Sequence, residues 1–285
     1  MFEEYLNLVK ELRIKRENTN LFSALLLSSL CVNTQKEEKV KSKVKQKLLE
    51  HIILISKNLG VSNIREYIEQ LFNGYILCGC HTARIDMQLK SRTLPGASSN
   101  FAYIPFEIGL SFDPFLCVPY IPGSSIKGAA RAAWKNLKND EKFGEEFKDE
   151  DKINEDKIFG KGGANGFAGI VIFSDAFPIE PGKDDFILYP DVITPHYSKG
   201  GEDIFDETKA SPTPIPHLSI APETLFSFVM AIRRSEDMDK KDAKEIFRKV
   251  LKATSVAFKL GIGARTSVGY GIFEIKKLKI ASPGD

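Results

Sequence analysis

The sequence predicts an α+β fold, and three observations predict it. The first 74 residues carry only helical periodicity. From Tyr75 onward, strand-like alternation takes over. Within that second region a strand, a helix and a strand follow one another in that order twice.

The helical region opens with the amphipathic FEEYLNLVKEL (2–12) and the apolar LFSALLLSSLCV (21–32). Val40, Val44, Leu48, Ile52, Ile55 and Leu59 then trace one stripe, ended by Gly60. Ser62 is placed to cap a short helix carrying Ile64, Tyr67, Ile68, Leu71 and Phe72, with Gly74 as its stop. In the second region YILCGCHTARIDMQLKSR (75–92) reads as a long strand, and YIPFEIGLSFDPFLCVPYI (103–121) as a hairpin or irregular β segment. SSIKGAARAAWKNLK (124–138) is a helix, and the acidic stretch 139–166 an exposed insertion. FAGIVIFSDAFPI (167–179) is a strand. DFILYPDVITPHYSKGGEDIF (185–205) is a β segment running into a second insertion near 198–213. TLFSFVMAIRR (224–234) is apolar on both faces and so reads as a strand covered twice. A helix from Asp239 and a last strand in SVGYGIFEIKKLKI (267–280) complete the chain. Without its insertions this order is the split βαβ, or ferredoxin-like (RRM-like), arrangement. Here it has a helical extension over 1–74 and a core over 75–285. The arrangement serves many unrelated functions, so function has to come from the loops.

Composition narrows the classes. Forty Lys and Arg against 38 Asp and Glu leave a formal charge of +2 across 285 residues. A uniformly basic nucleic-acid binder is excluded, but a local basic groove is not, because counterion release depends on the phosphates neutralised locally. Charge is unevenly placed: residues 36–47 hold six Lys against two Glu, and 138–157 hold five Lys against nine acids. Cys31, Cys78, Cys80 and Cys117 include no C-x-x-C pair, so buried thiols are expected rather than zinc. The apolar run 21–32 is too short to span a bilayer, and a reducing, cytoplasmic setting is expected.

Two loops concentrate glycine and positive charge. GIGARTSVGYG (261–271) has four glycines, with Arg265, Thr266, Ser267 and Tyr270 among them. It is not a P-loop, since no Lys-Ser or Lys-Thr follows at the required spacing. It is not a dinucleotide fingerprint either, because Thr266 stands where the third glycine belongs. A helix enters this loop and a strand leaves it, the reverse of both motifs. VGYGIFEI partly echoes the RNP1 pattern of RNA-binding sheets through Gly269, Tyr270 and Gly271. The other loop, YIPGSSIKGAAR (120–131), places Ser124 and Ser125 to cap a helix N-terminus, where free amides favour an anion. Lys127 and Arg131 share a face four residues apart, with Gly128 leaving room between them.

Together IPGSSIKGAAR and GIGARTSVGYG resemble the RAMP superfamily of CRISPR proteins. YPDVITPHY followed by PTPIPHLSIAPETLFSFVMAI is similar to the sixth-subunit family of the Cmr, type III-B, effector. The resemblance covers about residues 75–280. It implies a modified ferredoxin-like fold and a place at one end of an RNA-guided antiviral effector. There the chain would hold the 3′ part of the guide crRNA and pack against the repeated backbone subunit and other Cmr subunits. It also implies that target cleavage belongs to the repeated subunit, and that this chain is no enzyme and needs no cofactor. Carried onto this sequence, the guide-binding positions are Arg92, Ser124, Ser125, Lys127, Arg131, His196 and the loop residues Gly261, Gly263, Arg265, Thr266, Ser267, Gly269 and Tyr270.

One enzymatic alternative stands beside this. His196, with Tyr197 and Lys199, supplies the residue types of a metal-independent repeat-processing endoribonuclease. His51, His81 and His217 show no partner in the sequence. Asp86 and Asp191 lack the spacing of a two-metal site, and Asp86 is expected to pair with Arg84.

Overall fold

The computed structural model describes residues 20–23, 25–26, 38–57, 60–99, 101–148, 154–194, 196–197, 211–212, 214–233 and 240–283. The expected helix at 2–12, Cys31, Lys199 and nearly all of the second insertion lie outside them.

The sheet is built from β1 (His81–Leu89), β2 (Val171–Phe173), β3 (Phe177–Glu180), β6 (Leu225–Ile232) and β7 (Phe273–Ala281), in the order β7-β1-β6-β2 with β3 also pairing β6. Every pairing is antiparallel. The chain makes a separate hairpin of β4 (Leu188–Ile193) and β5 (Ile215–Ile220) between β3 and β6. Helix α3 (Gly123–Lys138) follows β1, and α5 (Lys240–Leu260) follows β6. This is the ferredoxin-like order expected from the sequence.

Alternation decides what each face of the sheet meets. Ala83, Ile85, Met87 and Leu89 of β1, with Phe226, Phe228, Met230 and Ile232 of β6, face the layer of α3 and α5. Leu225 aside, β6 is buried on both sides, as its unbroken apolar run predicts. The opposite face is covered by α2 (Ser62–Leu77), whose Ile64, Ile68 and Phe72 pack on Val229, Phe177 and Ile179. Under the same helix Arg84 donates to Asp86 (3.0 Å) and Glu69 (2.9 Å), Ser227 donates to Asp86 (2.6 Å), and Lys279 pairs with Glu69 (2.6 Å). The expected Arg84–Asp86 pair is therefore present. Base stacking on RNA-recognition modules uses an open sheet face, and here α2 occupies it. The RNP1-like echo does not lie on the sheet either, because Gly269–Gly271 precede β7.

Helix α1 (Glu38–Ser56) takes a different place. Its Val44, Leu48, Leu49, Ile52 and Ile53 join Leu188 and Leu218 of the β4–β5 hairpin and the segment 94–112 in a second core.

Several boundaries correct the sequence reading. Helix α2 runs three residues past Gly74, to Leu77. The stop is Gly79 at φ +75°, where Cys80 N–H bonds to Tyr75 O and Gly79 N–H to Ile76 O. Gly74 has open space around it and is carried in the helix because Tyr75 and Ile76, which follow it, still pack against the cluster under α2. The strand therefore begins at His81, and Cys78 at the helix end is exposed while Cys80 is buried. Ser62 is not the cap: Val61 holds that position without a side-chain bond. The described part of the first insertion is largely exposed, as expected, but a few buried side chains anchor it. Phe147, together with Ile158 and Phe159 around the short α4 (Glu155–Phe159), packs edge-on to Trp134 of α3 or beside it in the main core. Among the described residues no helix is long and apolar enough to cross a membrane.

Candidate nucleic-acid interface

The register of the sheet gathers three segments at one end. Leu89, at the end of β1, pairs with Phe273 at the start of β7, and Gln88 pairs with Leu225 at the start of β6. The segment leaving β1 and the glycine loop entering β7 therefore meet. A bridge from Thr93 to Ile220 brings the β4–β5 hairpin beside them.

The glycine loop is woven onto residues 90–94. Ala264 N–H bonds to Leu94 O (3.0 Å), Gly271 N–H to Arg92 O (2.8 Å), and Thr93 Oγ1 donates to Ile262 O (3.0 Å). That weave explains why glycines stand there. At Gly271, φ is +71° and an added Cβ would lie 2.1 Å from Ile262 O. At Gly261, φ is +100° and the Cβ would lie 2.7 Å from Tyr270 O. Gly263, at φ +106°, is less crowded, with a Cβ 3.1 Å from Leu94 O, and Gly269, at φ +88°, faces open space. Arg265 itself is left-handed at φ +63° and heads the single turn Thr266–Val268, leaving Ser267 and Val268 exposed and Thr266 half-buried against Gly261.

On this frame Arg92, Arg265 and Tyr270 assemble around one carboxylate, Asp191 of β4. Arg92 Nη1 donates to Asp191 Oδ1 at 2.8 Å, and Tyr270 O–H donates to Asp191 Oδ2 at 2.7 Å. Arg265 Nη1 donates to the Tyr270 oxygen at 3.2 Å, and its guanidinium lies 4.6 Å from the Tyr270 ring centre. The Arg92 guanidinium lies 5.0 Å from the ring centre of Tyr189. Burial, reinforced by the bond to Asp191, pushes the Tyr270 hydroxyl up, so it stays protonated and donates. Two guanidiniums against one carboxylate leave an excess of positive charge at a half-exposed loop.

His217 faces Asp191 across the hairpin, its Nε2 3.8 Å from Asp191 Oδ2. It is fully buried, and burial lowers its pKa, which leaves the imidazole neutral near pH 7. The sequence reading missed Asp191 and His217. The one available signal was their shared YPDVI and IPHLSI context, two short alternating runs fit to pair as a hairpin.

The start of α3 is arranged otherwise. The helix begins at Gly123 rather than near Ser125, with Pro122 as its cap, so Ser124 and Ser125 are exposed and cap nothing. The first amide is already answered: Gly123 N–H bonds to the Asp175 carboxylate at 2.7 Å. A Cβ on Gly123 would lie 2.5 Å from Phe173 O, so glycine is needed for the helix to sit against β2. Lys127 and Arg131 do share a face, as expected. Lys127 Nζ, however, donates to Val171 O (3.1 Å), and Arg131 is bound by Glu155, by Asp156 and by Gly160 O (2.9 Å). Burial, then the neighbouring Arg131, lowers the Lys127 pKa. These cations hold the first insertion and β2 to α3, and they form a group apart from Arg92 and Arg265. His196 lies in a two-residue ladder, opposite Pro212.

Comparison with known proteins follows the same lines. Residues 104–274 match the RAMP superfamily. The chain is 32% identical to the CRISPR system CMR subunit Cmr6 of Saccharolobus solfataricus, with 94% of each sequence covered. It superposes with a TM-score of 0.74 on a chain in the cryo-EM structure of the type III-B Cmr-beta bound to cognate target RNA. Identity there is 28%, with 99% of each chain covered. The sheet order, the glycine loop and this similarity along nearly the whole chain agree: the protein belongs to the RAMP superfamily and, within it, to the Cmr6 family of CRISPR subunits.

Proposed function

We propose that this chain is a non-catalytic RNA-binding subunit of a type III-B CRISPR effector, holding the 3′ part of the guide crRNA at one end of the complex beside the repeated backbone subunit. The observation that carries the reading is the convergence of Arg92, Arg265 and Tyr270 on Asp191, from segments far apart in the sequence. Guanidiniums held half-exposed on a loop suit the sugar-phosphate backbone, whose two non-bridging phosphate oxygens accept paired N–H groups from the planar fork. Contacts of that kind position a strand without reading its bases, as a subunit serving many different guides requires. Similarity to a Cmr6 subunit, and to a chain of a complex solved with target RNA, favours guide RNA and other Cmr subunits as partners.

The test is binding of labelled single-stranded RNA by the full-length chain across a salt series. Replacing Arg92 and Arg265 together by Ala should weaken binding to all sequences alike and flatten the salt slope by about 1.4, two single-strand contacts' worth. A slope equal to the parent's would overturn the reading. Incubation with repeat RNA in the absence of metal should leave the RNA intact. Cleavage that His196→Ala abolishes would establish the endoribonuclease instead.

A further inference from the structure

We infer that Asp191 is a positioning residue for RNA binding: its buried carboxylate fixes the geometry of both arginines, Arg92 directly and Arg265 through Tyr270. The inference rests on the reading that this end of the sheet meets the RNA backbone. Asp191 itself does not reach solvent, since its side chain is 4% exposed while that of Arg92 is 37% exposed. It therefore acts on a ligand only through its neighbours.

Its two oxygens have separate duties. Oδ1 accepts from Arg92 and from the Val192 amide at 2.9 Å, which ties the carboxylate to its own strand. Oδ2 accepts from Tyr270, and the Tyr270 oxygen in turn accepts from Arg265. The Tyr270 ring, 4.6 Å from the Arg265 guanidinium, and the Tyr189 ring, 5.0 Å from that of Arg92, limit the freedom of both side chains. Arginine carries a large rotamer entropy, and a ligand that must freeze two free arginines loses affinity accordingly. Prior fixation removes that cost. The neutral, buried His217 below Asp191 leaves the carboxylate's charge to the arginines.

Asp191→Asn separates this from plain charge counting, because the two accounts predict opposite signs. If net charge alone mattered, removing an anion beside two cations would tighten RNA binding. If Asp191 positions them, binding weakens by about tenfold, from the ordering cost of two side chains, while the cations and hence the salt slope remain. The Arg92 and Arg265 Nε–H resonances of the free protein should broaden or shift together in Asp191→Asn. A merely structural carboxylate would change the thermal midpoint and leave those signals in place. Tyr270→Phe keeps the ring and removes only the link to Arg265; about threefold weaker binding is expected, and it decides the matter if Asp191→Asn does not fold. Unchanged or tighter binding in whichever variant folds overturns the positioning role. If that happens while the Arg92→Ala, Arg265→Ala double variant still weakens binding, the RNA reading stands. If the double variant also binds like the parent, the RNA reading itself has failed.

Discussion

The start of α3 and the loop between α5 and β7 carry the same materials: glycines, hydroxyls, and arginine or lysine within reach of a helix end. Their fates differ. At α3, Asp175, Glu155 and Asp156 come from other parts of the chain and satisfy the amide and the arginine that the sequence offers to an anion. At the glycine loop a single carboxylate faces two arginines, and positive charge is left over. A cation beside glycines thus stays available to a ligand only when the fold supplies too few acids to neutralise it. An acidic insertion that looks like solvated surface supplies Glu155 and Asp156 in one case and is absent from the other.

The comparison can be broken most severely at the glycines themselves. Gly271→Ala meets both a left-handed φ and a carbonyl 2.1 Å away, and should cost about 3 kcal/mol in chemical denaturation. Gly269→Ala, also at a positive φ (+88°) but in open space, should cost only about 1 kcal/mol. Equal losses would mean the close weave onto 90–94 contributes nothing.

Next comes the arginine pair. Arg131→Ala should lower unfolding free energy by about 1–2 kcal/mol, because the mostly buried Glu155 is left with the longer contact to Lys135 at 3.5 Å, and it should leave the RNA salt slope untouched. Arg265→Ala should do the reverse, flattening the slope by about 0.7 with little loss of stability. A slope that falls in Arg131→Ala would erase the distinction between the two regions.

Acid provides a subtler probe of the hub. His217 has its pKa depressed by burial, so the unfolded chain binds a proton that the folded one refuses. Its contribution is whole above about pH 6.5 and is lost as pH falls below that value. The thermal midpoint should therefore drop on acidification, and His217→Gln should make that part of the curve flatter. A curve identical in parent and variant would show that the imidazole is not held neutral. The smallest effect belongs to Lys127→Met. This exchange keeps the stem and removes one half-buried hydrogen bond to Val171 O, for about 1 kcal/mol or less and no change in slope.

Much of the fold was legible because it rests on local patterns. The double coverage of Leu225–Ile232, the α3 and α5 periodicities and the strand–helix–strand order are all read from neighbouring residues. The candidate site was legible in its arginines and tyrosine but not in its organising acid. Asp191 sits in an ordinary strand run, and nothing along the chain announces that Tyr270, 79 residues on, will donate to it. The end of α2 was misplaced because Gly74 resembles a stop, whereas Tyr75 and Ile76 beyond it pack against the Ile64, Ile68 and Phe72 cluster and carry the helix on to Leu77.

By itself the sequence determined the secondary elements, their order and the two glycine-bearing loops, since periodicity and φ preference act over a few residues. Only the tertiary structure decided which cations remain available. Charge neutralisation depends on distances of a few ångströms between segments that the chain separates by tens of residues, and register and packing set those distances.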